Sequence, residues 1–140
     1  MLNKKEKGVV AVEIALILPF LVLLLLGSLD FGFLVRQHQV IQNASREGAR
    51  FSAQHRIGDH GINLTDIQNR VVDYCAEQNL TITAGEVSVS QNRSYLVGST
   101  LVTASEVTVA HSRSMITPGM SALVGDPVTI RARGVFRNFY

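Results

Sequence analysis

One segment of this sequence constrains the fold more than any other, and it is the apolar run from Val9 to Leu29. Seventeen of its 21 residues are apolar, and a helix of that length spans about 30 Å, the thickness of one hydrocarbon core. A secretory signal peptide has a shorter apolar stretch, followed by a small-residue cleavage pattern that is missing near Leu29. All three lysines precede the run, which favours a cytoplasmic N-terminus. The sequence therefore predicts one membrane-spanning helix, with the chain after it outside the cytoplasm.

The charge balance of the remaining chain and the apolar run each exclude one class of protein. From Val9 onward ten arginines face ten acidic residues, so the formal charge of +2 comes from the short leader before the apolar run. A uniformly basic nucleic-acid binder would spread its positive charge over a folded face. The membrane-length run in turn excludes a purely cytosolic globule, and we expect no nucleic-acid partner.

Two residues inside the apolar run are unusual for a passive anchor. Glu13 is a carboxylate, and a charge at the centre of a bilayer costs about 2.5–3.5 kcal/mol on insertion scales. Gly8 stands just before the run, so cleavage after it would make Val9 an N-terminal ammonium about 6 Å along the helix from Glu13. Pairing between such a carboxylate and the amine of its own or a neighbouring helix would fix the stagger of packed subunits. The alternative is that the Glu13 side chain snorkels to the membrane interface. The second unusual residue, Pro19, is compatible with a local kink in the helix.

Periodicity predicts an α+β head. A helical stripe continues past Asp30 to Phe51, and a second apolar stripe from Leu64 to Cys75 follows a capping-box pattern at Thr65 and Gln68. After it the period changes to two, which predicts three or four antiparallel strands around Val87–Val89, Val107–Val109 and Val128–Ala132. Loops are expected at Ile57–Gly61, Pro118–Gly119 and Asp126–Pro127. The predicted domains are a leader (1–8, cleaved after Gly8), a transmembrane helix (9–29) and an extracytoplasmic α+β head (30–140).

These features resemble the TadE-like family, pseudopilins or minor pilins of the tight-adherence, or Flp, type IVc pilus. Specific similarity covers about residues 6–51 and is strongest in an element similar to the family's A-x-R-E-G-A-R motif. The matching segments are Gly8-Val9-Val10-Ala11-Val12-Glu13, Pro19, Asp30-Phe31-Gly32 and Ala44-Ser45-Arg46-Glu47-Gly48-Ala49-Arg50, with Gly125-Asp126-Pro127-Val128 similar to the family's last-strand opening.

The resemblance implies a specific role and specific partners. It implies a single-pass subunit of the bacterial inner membrane with a periplasmic head, processed between Gly8 and Val9 by a prepilin peptidase. The subunit would pack through Glu13 against other pilin and pseudopilin subunits, in contact with the lipid bilayer and an inner-membrane assembly platform, and it would end in the membrane or in an extracellular pilus. The other matching residues are expected to be mainly structural: Pro19, Asp30, Gly32, Ala44, Arg46, Glu47, Gly48 and Arg50. Two further readings of these residues remain: Asp30 as an anchor at the membrane interface, and Arg46, Glu47 and Arg50 as either an ion-pair cluster or a subunit contact.

The sequence carries little that indicates catalysis. It contains no nucleophile elbow and no phosphate-binding glycine loop, so we expect no enzymatic activity and no cofactor. Four histidines invite a metal hypothesis, but solvated loop histidines are the expectation. The single cysteine, Cys75, is expected to be a buried thiol. Two alternatives remain open: an uncleaved, membrane-anchored assembly factor of the same system, and a signal-anchored periplasmic enzyme or binding module.

Overall fold

The computed structural model describes residues 4–54, 62–117 and 125–138. Its elements are α1 (Lys4–Gln54), α2 (Leu64–Glu77), a short 3-10 helix (Ala84–Glu86), β1 (Val87–Val97), β2 (Thr100–Arg113) and β3 (Val128–Arg137). The three strands form one antiparallel sheet in the order β1-β2-β3. The predicted α+β class, with a long helix, a short helix and a small antiparallel sheet, is confirmed.

The chain divides into two compact units. The first unit comprises residues 1–34 and 114–128, and the second comprises residues 35–113 and 129–140. α1 passes through both, so the first unit contains the apolar run and the loop between β2 and β3. The predicted division into leader, span and head follows the hydropathy of the sequence and stays a prediction.

In the first unit, α1 exposes its apolar side chains. The large hydrophobic residues described between Val9 and Leu25 are all exposed, with Leu16, Phe20 and Leu24 at 70, 71 and 70%. One helix of the described chain is long and apolar enough to cross a membrane, and none of its most apolar window is buried. Such a surface would be unfavourable in water, because burial of one leucine side chain contributes about 1.5–3 kcal/mol of free energy, which a fully exposed leucine lacks.

In the second unit, the last part of α1 and all of α2 enclose a core with the sheet. Helical positions with a spacing of three or four residues supply one side of this core, and alternate strand positions supply the other. Its buried members are Ile41, Ala44, Ala49, Ile67, Val71, Cys75, Leu80, Ile82, Val87, Val107, Val109 and Ala132. The predicted stripes therefore face inward, except that Leu64 remains about half exposed.

β1 and β2 form a hairpin whose register places valines on the core face. Val87 lies opposite Val109 and Val89 opposite Val107, and the register shifts by a bulge between Ser90 and Arg93. The turn contains Gly98 with φ of 64°, a left-handed conformation that glycine adopts without strain.

The capping box predicted for the second helix is wrong. α2 begins at Leu64 with Asn63 as its N-cap, so Thr65 lies inside the helix and no side chain caps the helix start. The Gln68 amide instead donates to the carbonyl of Val87 at 3.0 Å, which ties α2 to β1. Gln68 therefore bonds to a residue of another element and does not form the capping contact within its own helix that its spacing from Thr65 predicted. The loops predicted at Ile57–Gly61 and Pro118–Gly119 lie outside the described residues.

Candidate assembly and anchoring sites

The predicted processing and register residues lie on an open helix surface. Gly8 and Glu13 belong to α1, both are exposed, and a Cβ atom at Gly8 would meet nothing within 4 Å. Val9 and Val12 beside them are 68 and 70% exposed. Glu13 is thus presented on an apolar helix surface, and a second helix packed there would contact its carboxylate directly.

α1 continues through Pro19, as proline in a membrane-type helix is able to do. Ser28, near the end of the run, donates its hydroxyl to the carbonyl of Leu24 at 2.8 Å, one turn back. Gly32 has open space around its Cβ position. Among the described residues, no atom lies close enough to the Cβ position of Gly32 to explain its place in the family motif.

Asp30 is the polar centre of the first unit. Its side chain is buried, with 1% exposure, although it directly follows the apolar run. Three donors from the β2–β3 loop converge on its carboxylate: the backbone N–H of Ile116 at 3.1 Å, the backbone N–H of Thr117 at 2.8 Å and Thr117 Oγ1 at 2.6 Å. Hydrogen bonds to an ionised acceptor are stronger than neutral ones. Asp30 therefore fastens the start of this loop to α1.

The motif of residues 44–50 has an inner and an outer face. Ala44, Ser45, Gly48 and Ala49 are buried, because this part of α1 packs against α2 and the sheet. A Cβ atom on Gly48 would lie 2.5 Å from Val71 Cγ2, so only glycine fits without a shift. The small inner residues therefore set how closely the elements of the second unit approach one another.

The close approach is tightest at Gly134 on β3. A Cβ atom at Gly134 would overlap the carbonyl of Ser45 and the backbone nitrogen of Arg46. These are main-chain atoms of a helix, which cannot rotate away as a side chain can. Gln42 reinforces the contact by donating its amide to the carbonyl of Arg133 at 3.0 Å.

The outer face of the motif carries an ion-pair bridge. The Glu47 carboxylate accepts from Arg50 at 3.1 and 3.2 Å, as their i, i+3 spacing predicts, and from Arg70 of α2 at 3.2 Å. Hydrogen bonding from Arg50, with that from Arg70, outweighs partial burial and holds the pKa of Glu47 below its usual range. Both arginines are about half exposed, so the bridge orients α2 on α1 more than it stabilises the fold.

An open groove of about 500 Å³ borders this bridge in the second unit. Three arginine side chains line it, from Arg46, Arg50 and Arg133, beside the aromatic rings of Tyr74 and Phe136. Arg46 is exposed and Glu47 supplies the one carboxylate among the groove's lining residues. The groove is therefore lined by basic and aromatic residues.

Sequence reasoning missed a buried carboxylate on the other face of the sheet. The Glu106 side chain is 8% exposed and lies 3.2 Å from Arg93 Nη1 and 3.6 Å from Arg133 Nε. Tyr95 donates its hydroxyl to Glu106, and the Arg133 guanidinium stacks over the Tyr95 ring at 5.6 Å. Burial and the adjacent carboxylate raise the pKa of Tyr95. Alternation with Val107 places Glu106 off the core face, but only the strand register reveals its partners.

The second unit also contains a network of buried polar side chains that no pattern in the sequence predicts. Ser52 of α1 donates to Ser105 of β2 at 3.1 Å, and Ser105 donates to the Asn138 side chain at 2.9 Å. Asn138 in turn donates to the carbonyl of Gln91 at 2.9 Å. Because each hydrogen bond joins a different element, the network connects α1 to β1, to β2 and to the residue that follows β3.

The histidines and the cysteine have ordinary structural roles where the structure describes them. His111 Nδ1 lies 2.8 Å from Glu86 Oε1, and His38 is exposed, while His55 and His60 lie outside the described residues. Within residues 4–54, 62–117 and 125–138, no group of three or more His, Cys, Asp or Glu is placed to hold a metal. Cys75 is buried, and desolvation raises the pKa of its thiol to about 11.

The exposed helix and the match to a family model together indicate the kind of protein. The exposed apolar helix suggests a membrane-anchored protein with a small α+β domain. The family model described as TadE-like protein matches residues 8–50, which confirms the TadE-like resemblance and covers the predicted processing and register residues and the 44–50 segment. The match suggests a protein associated with a Tad pilus that interacts with other pilus components. No curated protein and no solved structure matched the chain.

Proposed function

We propose that this chain is a minor pilin, or pseudopilin, of a tight-adherence, Flp-type pilus. It is held in the bacterial inner membrane by α1, with its N-terminus in the cytoplasm and its head in the periplasm, and a prepilin peptidase cleaves it after Gly8. The observation that carries this proposal is the Gly8–Glu13 segment. It lies within the family-matched region and on a helix whose large apolar side chains are exposed.

The exposed helix surface supports assembly by lateral packing. Helices in a membrane associate through close packing and through polar groups that find partners across the interface, because lipid is as apolar as leucine. After cleavage the Val9 ammonium and the Glu13 carboxylate lie about 6 Å apart along the axis, so each can pair with the opposite charge on a neighbouring subunit. Such pairing specifies axial register, a role for which buried polar groups are well attested.

The second unit supports the same proposal in a different way. Its motif residues on α1 are used for internal packing at Gly48 and for the Glu47 bridge. These contacts support a structural role for Gly48 and Glu47, and the basic groove beside Arg46 remains open to other pilus subunits or to the assembly platform.

The first test is maturation. In a host that expresses the pilus system, N-terminal sequencing and intact mass should show a chain that begins at Val9. Gly8→Leu should retain the leader, because the peptidase reads this position while the open space around it leaves the helix undisturbed. Gly32→Leu is the matched control, since Gly32 is an equally open glycine of α1. Wild-type chains that keep residues 1–8 would instead support a permanently anchored assembly factor, and a Gly8→Leu chain that begins at Val9 would remove the processing claim.

The second test separates insertion from assembly. Glu13→Gln keeps the side-chain shape and removes the charge, so the chain should insert and mature normally while assembling poorly. If the pair contributes about 1.4 kcal/mol to each helix contact, its association constant falls about tenfold. Sheared pili should be counted in the variant and in Ser28→Ala, another polar residue of the same run, whose hydroxyl bonds only to its own helix among the described contacts. Normal piliation in Glu13→Gln would leave Glu13 as a snorkelling residue.

A further inference from the structure

The β2–β3 loop groups with the apolar helix. Residues 114–128 form one compact unit with residues 1–34. Among the described residues, the Asp30 carboxylate links the two segments, because it accepts from the backbone of Ile116 and Thr117. Asp30 directly follows Leu29, the last residue of the apolar run. The start of the loop therefore contacts α1 at the predicted end of the membrane span.

The chemistry of the loop start suits an apolar surrounding. Ile116 is 57% exposed, whereas Thr117 is 4% exposed and turns its hydroxyl to Asp30. The backbone N–H groups of both residues are satisfied by the carboxylate, so moving this segment out of water leaves neither donor unpaired. In the sequence, no charged residue occurs from Met115 to Gly125. Burial of one isoleucine side chain is favourable by about 1.5–3 kcal/mol.

The adjacent surface of α1 is also apolar. Leu29, Phe31 and Phe33 are 51, 68 and 41% exposed, so the apolar surface of the helix continues past the predicted end of the span. It is continuous with the surface that the bilayer covers in the proposed function.

We propose that the start of the β2–β3 loop, with Ile116 as its apolar contact, is a second membrane anchor that lies in the lipid interface beside α1. The partner is the lipid bilayer itself, and Asp30 is the positioning residue that holds the loop there. This inference rests on the membrane placement of α1 in the proposed function. It adds a contact that the single span does not supply, and that contact restrains rotation of the chain about the helix axis.

The absence of tryptophan from the sequence allows a direct test. The full chain, with a single substitution Ile116→Trp, is reconstituted at high dilution in phosphatidylcholine–phosphatidylglycerol vesicles. Phe20→Trp reports the span and Leu96→Trp reports an exposed site next to the hairpin turn, at the opposite end of β2 from the loop. Brominated lipid should quench I116W at least about half as strongly as F20W, and iodide should quench it several-fold less than L96W.

The outcomes separate this inference from the proposed function. If F20W escapes brominated lipid, the span and the proposed function fail together. If F20W is quenched while I116W behaves like L96W, only the loop anchor is overturned. I116W could instead be shielded from iodide but not quenched by brominated lipid, with a shielding that increases with protein density. That result would identify another subunit as the partner and would also overturn the loop anchor. In I116W combined with Asp30→Asn, quenching by brominated lipid should fall at least about twofold; an unchanged value would contradict the positioning role.

Discussion

Gly134→Ala should destabilise the second unit by about 3 kcal/mol, the upper end of the usual range for overpacking. The added methyl group would overlap backbone atoms of Ser45 and Arg46, so β3 must move away from α1. That movement also breaks the hydrogen bond from Gln42 to the Arg133 carbonyl and loosens the contact around Ala132. The expected result is faster hydrogen exchange throughout the second unit, because the core packs around this contact.

Gly85→Ala is the matched control for this prediction. Gly85 lies in the same unit, and the nearest atom to its Cβ position is Thr83 Oγ1 at 4.0 Å. Hydrogen-exchange mass spectrometry on the full chain in lipid nanodiscs should therefore show wild-type protection for Gly85→Ala and reduced protection for Gly134→Ala. Equal protection in the two variants would mean that β3 does not approach α1 as closely as described.

Asp30→Asn should release the start of the β2–β3 loop without unfolding the second unit. Asparagine keeps one oxygen acceptor but turns an NH₂ group toward donors that all require an acceptor. Removing charge-assisted bonds from buried donors costs about 3 kcal/mol, which corresponds to exchange of the Ile116 and Thr117 amides about 100-fold faster. These two amides are themselves the donors to Asp30, so the measurement reads the affected bonds directly.

Asp126→Asn controls for a general loosening of the same loop. Asp126 Oδ1 accepts from the backbone N–H of Met115 at 3.3 Å, on the exposed side of the loop. This variant should accelerate exchange at Met115 and leave Ile116 and Thr117 protected. Unchanged exchange at Ile116 and Thr117 in Asp30→Asn would show that their protection has another source.

The elements that sequence reasoning predicted are those whose signals are local. α1, α2 and the three strands follow from apolar spacings of three to four and of two, and the Glu47–Arg50 pair follows from its i, i+3 spacing. The same local logic failed at Thr65 and Gln68, because Gln68 gains more from bonding to Val87 across elements than from capping its own helix.

The parts that could not be predicted depend on contacts between distant segments. Asp30 drew attention by its place after the apolar run, yet its donors lie 86 and 87 residues away. Arg70 joins Glu47 only because α2 packs on α1. The environment of Glu106 depends on a register shift that places Arg93 and Tyr95 opposite Ala104 and Val102, on the same face of β2 as Glu106, and one sequence carries no signal for that shift.

The Asp30 contact also has a consequence for biogenesis. Asp30 emerges from the ribosome long before Thr117, its partner 87 positions later. In the proposed topology, water takes the place of these loop donors at the carboxylate until β2 has been exported and the following loop arrives. In the proposed topology the first unit would be completed late in translocation, after insertion of its helix, and a chain interrupted before Thr117 would retain a hydrated acid at the membrane edge.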